Sequence, residues 1–251
     1  MIRPIRKLIV KNLPKRLGDV EAAVLTLIDS PAYRSGDDVG FNGQKGKKYI
    51  FNDILSVYRF SNVLETGTYI GDTAGYMAER SQLPVHSCEI NQIFFSLAKM
   101  RLKAFPSISL YHLDSRDFLD LLSNRPEITR NECFVYLDAH WGKNLPLKEE
   151  ISVIASRWEK FIIMIDDFQV PDDGGYIFDS YGPFDRLNLP YLRKTLAKYD
   201  LCTFFPSMPS REESRTRPTG CVILAKNNEY AHPLRQIPSL RTYKNGQPFR
   251  A

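Results

Sequence analysis

Five short apolar runs in the middle of the chain each end in an acidic residue, and this regular arrangement limits the folds open to the sequence. The terminal acids are Glu65, Glu89, Asp114, Asp138 and Asp166, which lie 24, 25, 24 and 28 residues apart. A segment with helical periodicity follows each run. Such gaps fit one strand and one crossover helix, so we predict consecutive βα units of a parallel sheet.

The five acids are expected to lie along one edge of this sheet. Parallel strands bring their carboxyl ends to the same edge, and open α/β sheets bind their ligands in the crevice outside those ends. An edge lined with carboxylates favours positively charged ligands or metal ions. We therefore predict that the functional site lies at this edge.

The first run leads into a turn that contains two glycines. Residues 62–73 are predicted to form a strand, a tight turn and the N-terminus of a helix. Gly67 and Gly71 permit backbone angles that a side chain forbids, so the turn can approach a ligand while helix amides point at it. The spacing E-x-G-x-x-x-G differs from the dinucleotide fingerprint G-x-G-x-x-G. An ordinary strand-to-helix turn is the alternative interpretation.

This turn resembles the first motif of the class I S-adenosylmethionine (SAM) methyltransferases, and the resemblance extends over about residues 50–225. It implies a Rossmann-like α/β fold with a mostly parallel seven-stranded sheet, helices on both faces and a C-terminal antiparallel hairpin. Residues 201–205 and 220–225 are the predicted strands of that hairpin. The resemblance also implies an enzyme that transfers a methyl group from SAM.

The resemblance places the cofactor at the turn and at the next two strand ends. Glu89 lies about twenty residues beyond the turn, where Rossmann-like folds place an acid on the ribose hydroxyls. Asp114 and Ser115 stand where the family contacts adenine, although Asp114 could instead cap the following helix. The predicted cofactor-binding residues are Glu65, Thr66, Gly67, Thr68, Gly71, Glu89, Asp114, Ser115 and Asp138.

A second constellation follows the fourth and fifth runs. Two neighbouring strand ends bring Asp138, Asp166 and Asp167 together, and repulsion among three carboxylates favours a cation between them. Magnesium prefers oxygen ligands and keeps positions free for water and substrate. The pattern is similar to catechol O-methyltransferase and to bacterial metal-dependent sugar and antibiotic O-methyltransferases. This resemblance implies that Asp138, Asp166 and Asp167 bind Mg²⁺.

Two residues after the fourth strand are candidates for the catalytic base. The resemblance implies that Lys143 or His140 removes the proton of an acceptor hydroxyl, whose pKa the metal would lower. The inserted residue Ala139 departs from the catechol pattern and leaves the choice between the two open. His140 packed beneath the loop and Lys143 as a surface lysine are the structural alternatives.

The composition fits one α/β domain with additions at both ends. The chain has 251 residues, of which 43% are hydrophobic and 25% charged, and its net charge is +5. No apolar run approaches the roughly 20 residues that span a bilayer, so we expect a cytoplasmic protein without a transmembrane segment. We predict a helical N-terminal extension over 1–60, a SAM-binding domain over 61–226 and a C-terminal arm over 227–251.

The predicted activity is Mg²⁺-assisted O-methylation of a hydroxyl on a small molecule or sugar. A metal-independent methyltransferase of the same fold is one alternative. A catalytically silent SAM-binding or partner-binding domain is another. The chain lacks the Asn/Asp-Pro-Pro-aromatic motif that base-methylating enzymes carry after the fourth strand, which argues against a nucleic-acid acceptor. The sequence leaves the acceptor and any homo-oligomeric state open.

Overall fold

The computed structural model describes residues 40–140, 145–182, 185–244 and 247–248 of the chain. The first 39 residues of the predicted N-terminal extension and the candidate base Lys143 lie outside these ranges. The predicted division of the chain into three parts therefore stays a prediction.

Helices and strands alternate through most of the described chain. The helices are α1 (Lys45–Val57), α2 (Asp72–Ser81), α3 (Gln92–Arg101), α4 (Ser115–Ser123), α5 (Pro126–Thr129), α6 (Leu147–Arg157) and α7 (Leu189–Lys198). The strands are β1 (Asn62–Thr66), β2 (Val85–Cys88), β3 (Ile108–Tyr111), β4 (Glu132–Leu137), β5 (Lys160–Ile165), β6 (Leu201–Pro206), β7 (Val222–Lys226), β8 (Leu240–Lys244) and β9 (Gln247–Pro248). No helix in the described ranges is both long enough and apolar enough to cross a membrane.

The strands form one sheet in the order β3-β2-β1-β4-β5-β7-β6-β8-β9. Strands β1 to β5 are parallel to one another, and β7 runs antiparallel to both β5 and β6. The mostly parallel sheet and its C-terminal antiparallel hairpin are thus confirmed.

The number of strands differs from the prediction of seven. Residues of the predicted C-terminal arm return to the sheet as β8, which pairs with β6, and the two-residue β9 pairs with β8. Leu240 at the start of β8 is 7% exposed. Pairing with β8 satisfies the hydrogen-bonding groups that β6 would otherwise present at an open edge.

The two faces of the sheet bury different helices. Phe134 and Tyr136 of β4 pack in the cluster that contains the apolar side of α1, whereas Val135 and Leu137 pack in the cluster that contains α6. Successive side chains of a strand point to opposite faces. The period of two therefore directs Asp138, two residues after Tyr136, toward the α1 side.

Helix α1 covers this side of the sheet with a continuous buried stripe. Its buried residues include Lys47, Ile50, Phe51 and Ile54, which follow the spacing of one helical face. The lysine thus occupies the first-turn position of a stripe that is otherwise apolar. As a result, α1 carries an amino group beneath the carboxyl edge of the sheet.

Candidate active site

The turn after β1 passes between the ends of β2 and β4. The amides of Gly67 and Thr68 both donate to the carbonyl of Cys88 at 3.0 Å. Gly67 has a φ of 84°, and a Cβ atom on it would lie 2.4 Å from the carbonyl oxygen of Asp138. Gly71 begins α2 with a φ of 89°. Glycine at position 67 is therefore required by both the backbone conformation and the close approach to β4.

A cavity of about 280 Å³ opens beside this turn. Five of the predicted cofactor-binding residues line it: Gly67, Glu89, Asp114, Ser115 and Asp138. The other four, Glu65, Thr66, Thr68 and Gly71, are not among the lining residues. The cavity therefore contains the residues predicted at the ribose and adenine positions, whereas Glu65 is not part of its lining.

An apolar wall that the sequence did not indicate completes the cavity. Ile90 and Phe94 contribute to it from the segment after β2 and from α3, and Asn91 between them adds a polar side chain. The ring of Phe94 lies 4.5 Å from that of Tyr69, at an interplanar angle of 53°. Apolar surface with a few polar groups is typical of a small-molecule site. Helical periodicity alone would have assigned Ile90 and Phe94 to packing.

Glu89 is held by backbone amides on both sides of its carboxyl group. One oxygen accepts from the amide of Tyr69 at 2.8 Å and the other from the amide of Asn91 at 2.7 Å. Burial raises the pKa of Glu89 above its usual range, and these amides oppose the rise. Each carboxylate oxygen has a second lone pair. Glu89 can therefore still accept a hydrogen bond from a ligand in the cavity.

Asp114 both lines the cavity and caps a helix. Its side chain accepts from the amide of Arg116 at 2.9 Å at the start of α4 and forms an ion pair with the guanidinium of the same residue. Hydrogen bonds from Arg116 lower the pKa of Asp114. The capping role that the sequence left open is present, and the position of Asp114 in the cavity wall is compatible with the adenine role as well.

Glu65 is a buried acid at the end of β1, with 1% of its surface exposed. The Ser87 hydroxyl donates to one carboxyl oxygen, and the other oxygen has no hydrogen-bond partner among the described residues. Burial raises the pKa of Glu65 to about 8. Buried carboxyl oxygens are seldom left unpaired, so Glu65 is a candidate for contact with a cationic group.

The acid cluster lies at the ends of β4 and β5. Asp166 is fully buried, and its carboxylate accepts from the ammonium group of Lys47 and from the hydroxyl of Tyr136. The Lys47 ammonium also donates to the hydroxyl of Thr219 at 2.7 Å. Burial opposes the charge of Lys47, but Asp166 and Asp167 outweigh it and raise the pKa of the lysine. Lysine and aspartate therefore form a buried ion pair.

Three other side chains converge next to this ion pair. Asp138, His140 and Asp167 each place one potential ligand atom within 4.8 Å of the others. His140 is 1% exposed, and neither of its ring nitrogens has a hydrogen-bond partner among the described residues. Burial lowers the pKa of His140, which favours the uncharged imidazole, the form that coordinates metal ions. Orphaned buried nitrogens beside two carboxylates fit a divalent cation.

The electrostatics of these two acids follow from their crowding. Burial and the neighbouring Asp166 raise the pKa of Asp167 to about 7, and the same two causes raise the pKa of Asp138 well above its usual range. Asp167 has a φ of 48°, which turns the chain immediately after Asp166. A cation in this position would stabilise both carboxylates in their charged forms.

The sequence-predicted metal ligands are therefore distributed over two arrangements. Asp138 and Asp167 lie in the convergent group with His140, while Asp166 lies in the ion pair with Lys47. Lys47, Tyr136 and Thr219 were not predicted as site residues. For Lys47 a signal was present in its spacing from the buried stripe of α1, but a lysine at the end of such a stripe also fits a solvated helix terminus.

The segment after β5 is fixed over the acid cluster. The amide of Asp179 donates to the carbonyl of Asp167 at 2.9 Å. The hydroxyl of Tyr181 lies 2.5 Å from a carboxyl oxygen of Asp179 and also contacts the carbonyl of His140. These contacts join the ends of β4 and β5 to the same loop. The loop therefore forms part of the wall around the convergent group.

No protein-family model matches this sequence, and no curated protein matches it significantly. Several solved structures are similar to this chain in fold. An O-methyltransferase from Bacillus cereus in complex with SAH is 16% identical, with 90% of this chain and 100% of that chain covered and a TM-score of 0.54. Cofactor-bound Rv0187 from MTB is 16% identical, with 87% and 100% covered and a TM-score of 0.52.

A third similar structure is the O-methyltransferase TomG from Streptomyces achromogenes in complex with SAM. It is 16% identical, with 72% of this chain and 80% of that chain covered and a TM-score of 0.50. The chain therefore has the methyltransferase fold that the sequence predicted.

Proposed function

We propose that this protein, which has the fold of the class I SAM-dependent methyltransferases, transfers a methyl group from SAM to a hydroxyl of a small molecule or sugar. We further propose that a divalent cation such as Mg²⁺ assists the transfer. The observation that carries the proposal is the position of Asp138. This residue lines the cavity and also belongs to the convergent group with His140 and Asp167.

The cofactor would be held by the residues of the cavity. SAM supplies an electrophilic methyl group on a sulfonium ion, and its displacement depends mainly on alignment. Correct positioning contributes roughly 7–11 kcal/mol to such reactions. Glu89 would bind the ribose hydroxyls, Asp114 and Ser115 the adenine, and the turn at Gly67 the methionine end, with Glu65 compensating the ammonium charge from behind.

The acceptor hydroxyl would lie at the convergent group. A divalent cation there supplies Lewis acidity, which lowers the pKa of the acceptor and fixes its oxygen. Asp138, His140 and Asp167 would hold that cation. With His140 engaged as a ligand, Lys143 is the remaining predicted candidate for the base. The segment after β5 that carries Asp179 and Tyr181 would exclude water from the reacting groups.

The decisive experiment combines calorimetric titration with a turnover assay. We expect S-adenosylhomocysteine to bind, and SAH to be produced from SAM with at least one member of a panel of catechols and hexoses. Production should fall at least about tenfold in EDTA and return with Mg²⁺. Tight SAH binding without product from any acceptor would instead indicate a silent SAM-binding domain, and no SAH binding would contradict the proposal altogether.

A metal-independent methyltransferase is the second candidate, favoured by one observation. The ammonium of Lys47 already lies among the acids and neutralises Asp166, so one reason for a bound metal is removed. In that case SAH production would survive EDTA. Asp167→Asn would then leave the turnover rate largely unchanged.

The pH dependence of cofactor binding tests the role of Glu65. Below pH 8 the buried carboxyl of Glu65 is protonated in the free protein, because burial raises its pKa to about 8. Pairing with the cofactor's ammonium group favours the carboxylate, so binding must release a proton. We expect SAH affinity to rise by up to about tenfold per pH unit between pH 6 and 8 and to level off above that.

Calorimetry in buffers of different ionisation enthalpy measures the released proton directly. Glu65→Gln is the matched control, because it keeps the size of the side chain but cannot titrate; its SAH affinity should be nearly independent of pH over this range. Proton uptake on binding, or equal pH profiles for the two proteins, would contradict the assignment.

A further inference from the structure

The amino group of Lys47 enters the acid cluster from α1, a helix outside the βα repeat. Its side chain is 2% exposed and that of Asp166 is 0% exposed. We propose that Lys47 is a fixed internal cation that neutralises Asp166 and withholds it from the divalent site. An incoming ion is then held by Asp138, His140 and Asp167 alone. This inference rests on the divalent site of the proposed function.

The hydrogen bonds of Asp166 support this division between adjacent acids. One oxygen accepts from Lys47 and, at 2.7 Å, from the amide of Asp167; the other accepts from the hydroxyl of Tyr136. Each oxygen therefore already accepts at least one hydrogen bond inside the protein, and the oxygen that faces Lys47 accepts at least two. A metal ion bonded to Asp166 would also lie close to the Lys47 ammonium, and two like charges at that distance repel strongly in a buried site.

The charges of the remaining group match a divalent ion. With a cation bound, the carboxylates of Asp138 and Asp167 would together carry two negative charges, which one divalent ion balances. With Asp166 added, three carboxylates would exceed the charge of the ion. Lys47 removes that excess. The internal ion pair thus sets both the number of protein ligands and the net charge of the site.

The position of Lys47 is fixed by contacts at the N-terminus of α1. The side chain of Gln44 accepts from the amide of Thr219 at 2.6 Å and donates to its carbonyl at 3.2 Å. The amide of Gly46 donates to the carboxylate of Glu213 at 2.9 Å. These bonds tie α1 to the connection between β6 and β7. The backbone from which the Lys47 side chain projects is consequently fixed relative to Thr219, one of its hydrogen-bond partners.

Mn²⁺ affinity, measured by the electron paramagnetic resonance signal of the free ion, tests the proposal with four full-length variants. In Lys47→Met, Asp166 is released and can join the ligand group, so Mn²⁺ should bind at least about tenfold more tightly than to the wild type. Lys47→Arg retains the cation and should bind Mn²⁺ within about twofold of the wild type. Lys45→Met, a matched loss of charge in the same helical turn, should also stay within about twofold.

The double variant Lys47→Met/Asp166→Asn tests whether Asp166 is a ligand of the ion in the wild type, even if Lys47→Met fails to fold. It removes both buried charges together, which structures tolerate far better than the loss of one partner. Its Mn²⁺ affinity should stay within about twofold of the wild type, because Asp166 contributes no ligand there.

Two results would overturn the inference: no gain of Mn²⁺ affinity in a folded Lys47→Met, or an affinity at least about tenfold weaker than wild type in the double variant. If the wild type binds no Mn²⁺, a gain of binding in Lys47→Met alone supports the inference and its absence overturns it. Failure of the proposed function is distinguishable, because it would appear as lack of SAH production by the wild type whatever the Mn²⁺ affinities are.

Discussion

Replacing Gly67 with alanine is expected to lower SAH affinity at least about 100-fold. Gly67 has a φ of 84°, which costs a residue with a side chain about 1–2 kcal/mol. The new Cβ would also lie 2.4 Å from the carbonyl oxygen of Asp138 and 2.7 Å from its carbonyl carbon. Backbone atoms cannot rotate away as a side chain can, so overpacking adds about 1–3 kcal/mol. The free variant relieves these costs by shifting the turn, and it must return to the strained conformation to bind SAH, so the costs appear as a loss of roughly two decades in affinity.

Two other glycines separate the causes of this loss. Gly43 has a φ of 72° with nothing within 4 Å of its added Cβ, so Gly43→Ala introduces the backbone strain without the clash. At Gly174 φ is not positive and nothing lies within 4 Å of an added Cβ, so Gly174→Ala introduces neither strain nor clash. Both control variants should bind SAH with wild-type affinity in calorimetry. An affinity of Gly67→Ala within tenfold of wild type would show that the turn at this position does not hold the cofactor.

Replacing Asp167 with asparagine is expected to lower the rate of SAH production about 10²–10³-fold, the usual loss when one preorganised electrostatic group is removed from a reaction site. The substitution removes a charge from the convergent group with Asp138 and His140 while keeping the side-chain size. Asp167 is not among the residues that line the cavity proposed to hold the cofactor. SAH affinity should therefore stay within about twofold of the wild type, and Mn²⁺ affinity should fall at least about tenfold.

Asp200 provides a matched control for this substitution. It has a φ of 49°, almost the same as the φ of 48° at Asp167, but it lies at the start of β6 and outside the convergent group. Asparagine adopts the left-handed conformation readily. Asp200→Asn should leave turnover, SAH affinity and Mn²⁺ affinity unchanged. Equal turnover in Asp167→Asn and the wild type would favour the metal-independent candidate.

The regular positions of the acids predicted much of the fold. Strands β1, β2, β4 and β5 all end within one residue of their acids, because an apolar run that is buried on both faces of a parallel sheet is readable without knowledge of its neighbours. The same property predicted that Asp138, Asp166 and Asp167 would lie close together, since neighbouring parallel strands end at the same edge. Asp138 and Asp167 do converge, whereas Asp166 pairs with Lys47. Glu89 and Asp114 were likewise predicted at the edge, and both line the cavity.

Strand β8 illustrates what local patterns missed. Its residues follow Pro233 and Pro238 and belong to the predicted C-terminal arm, for which the sequence indicated no strand. The strand forms because β6 offers an unpaired edge, and that edge exists only after the sheet is assembled. A strand whose partner lies more than thirty residues away has no signal in its own few residues.

Tertiary contacts also decided which of two adjacent acids, Asp166 or Asp167, pairs with the Lys47 ammonium. Asp166 and Asp167 are adjacent in sequence and chemically identical, so no pattern could assign them different environments. The assembled fold does so, because α1 brings Lys47 to Asp166 while the chain turns at Asp167 toward Asp138 and His140.

The sequence by itself determined the order of the βα units, the edge of the sheet at which the cavity opens and the acidic character of that edge. These features depend on short-range periodicity and on the geometry that all parallel sheets share. Only the tertiary structure decided which carboxylates are not already paired with a positively charged side chain. This pairing depends on the distances between groups brought together from α1, β4, β5 and the connection before β7. Electrostatic energies change steeply with such distances and with burial, and neither quantity is contained in residue spacing.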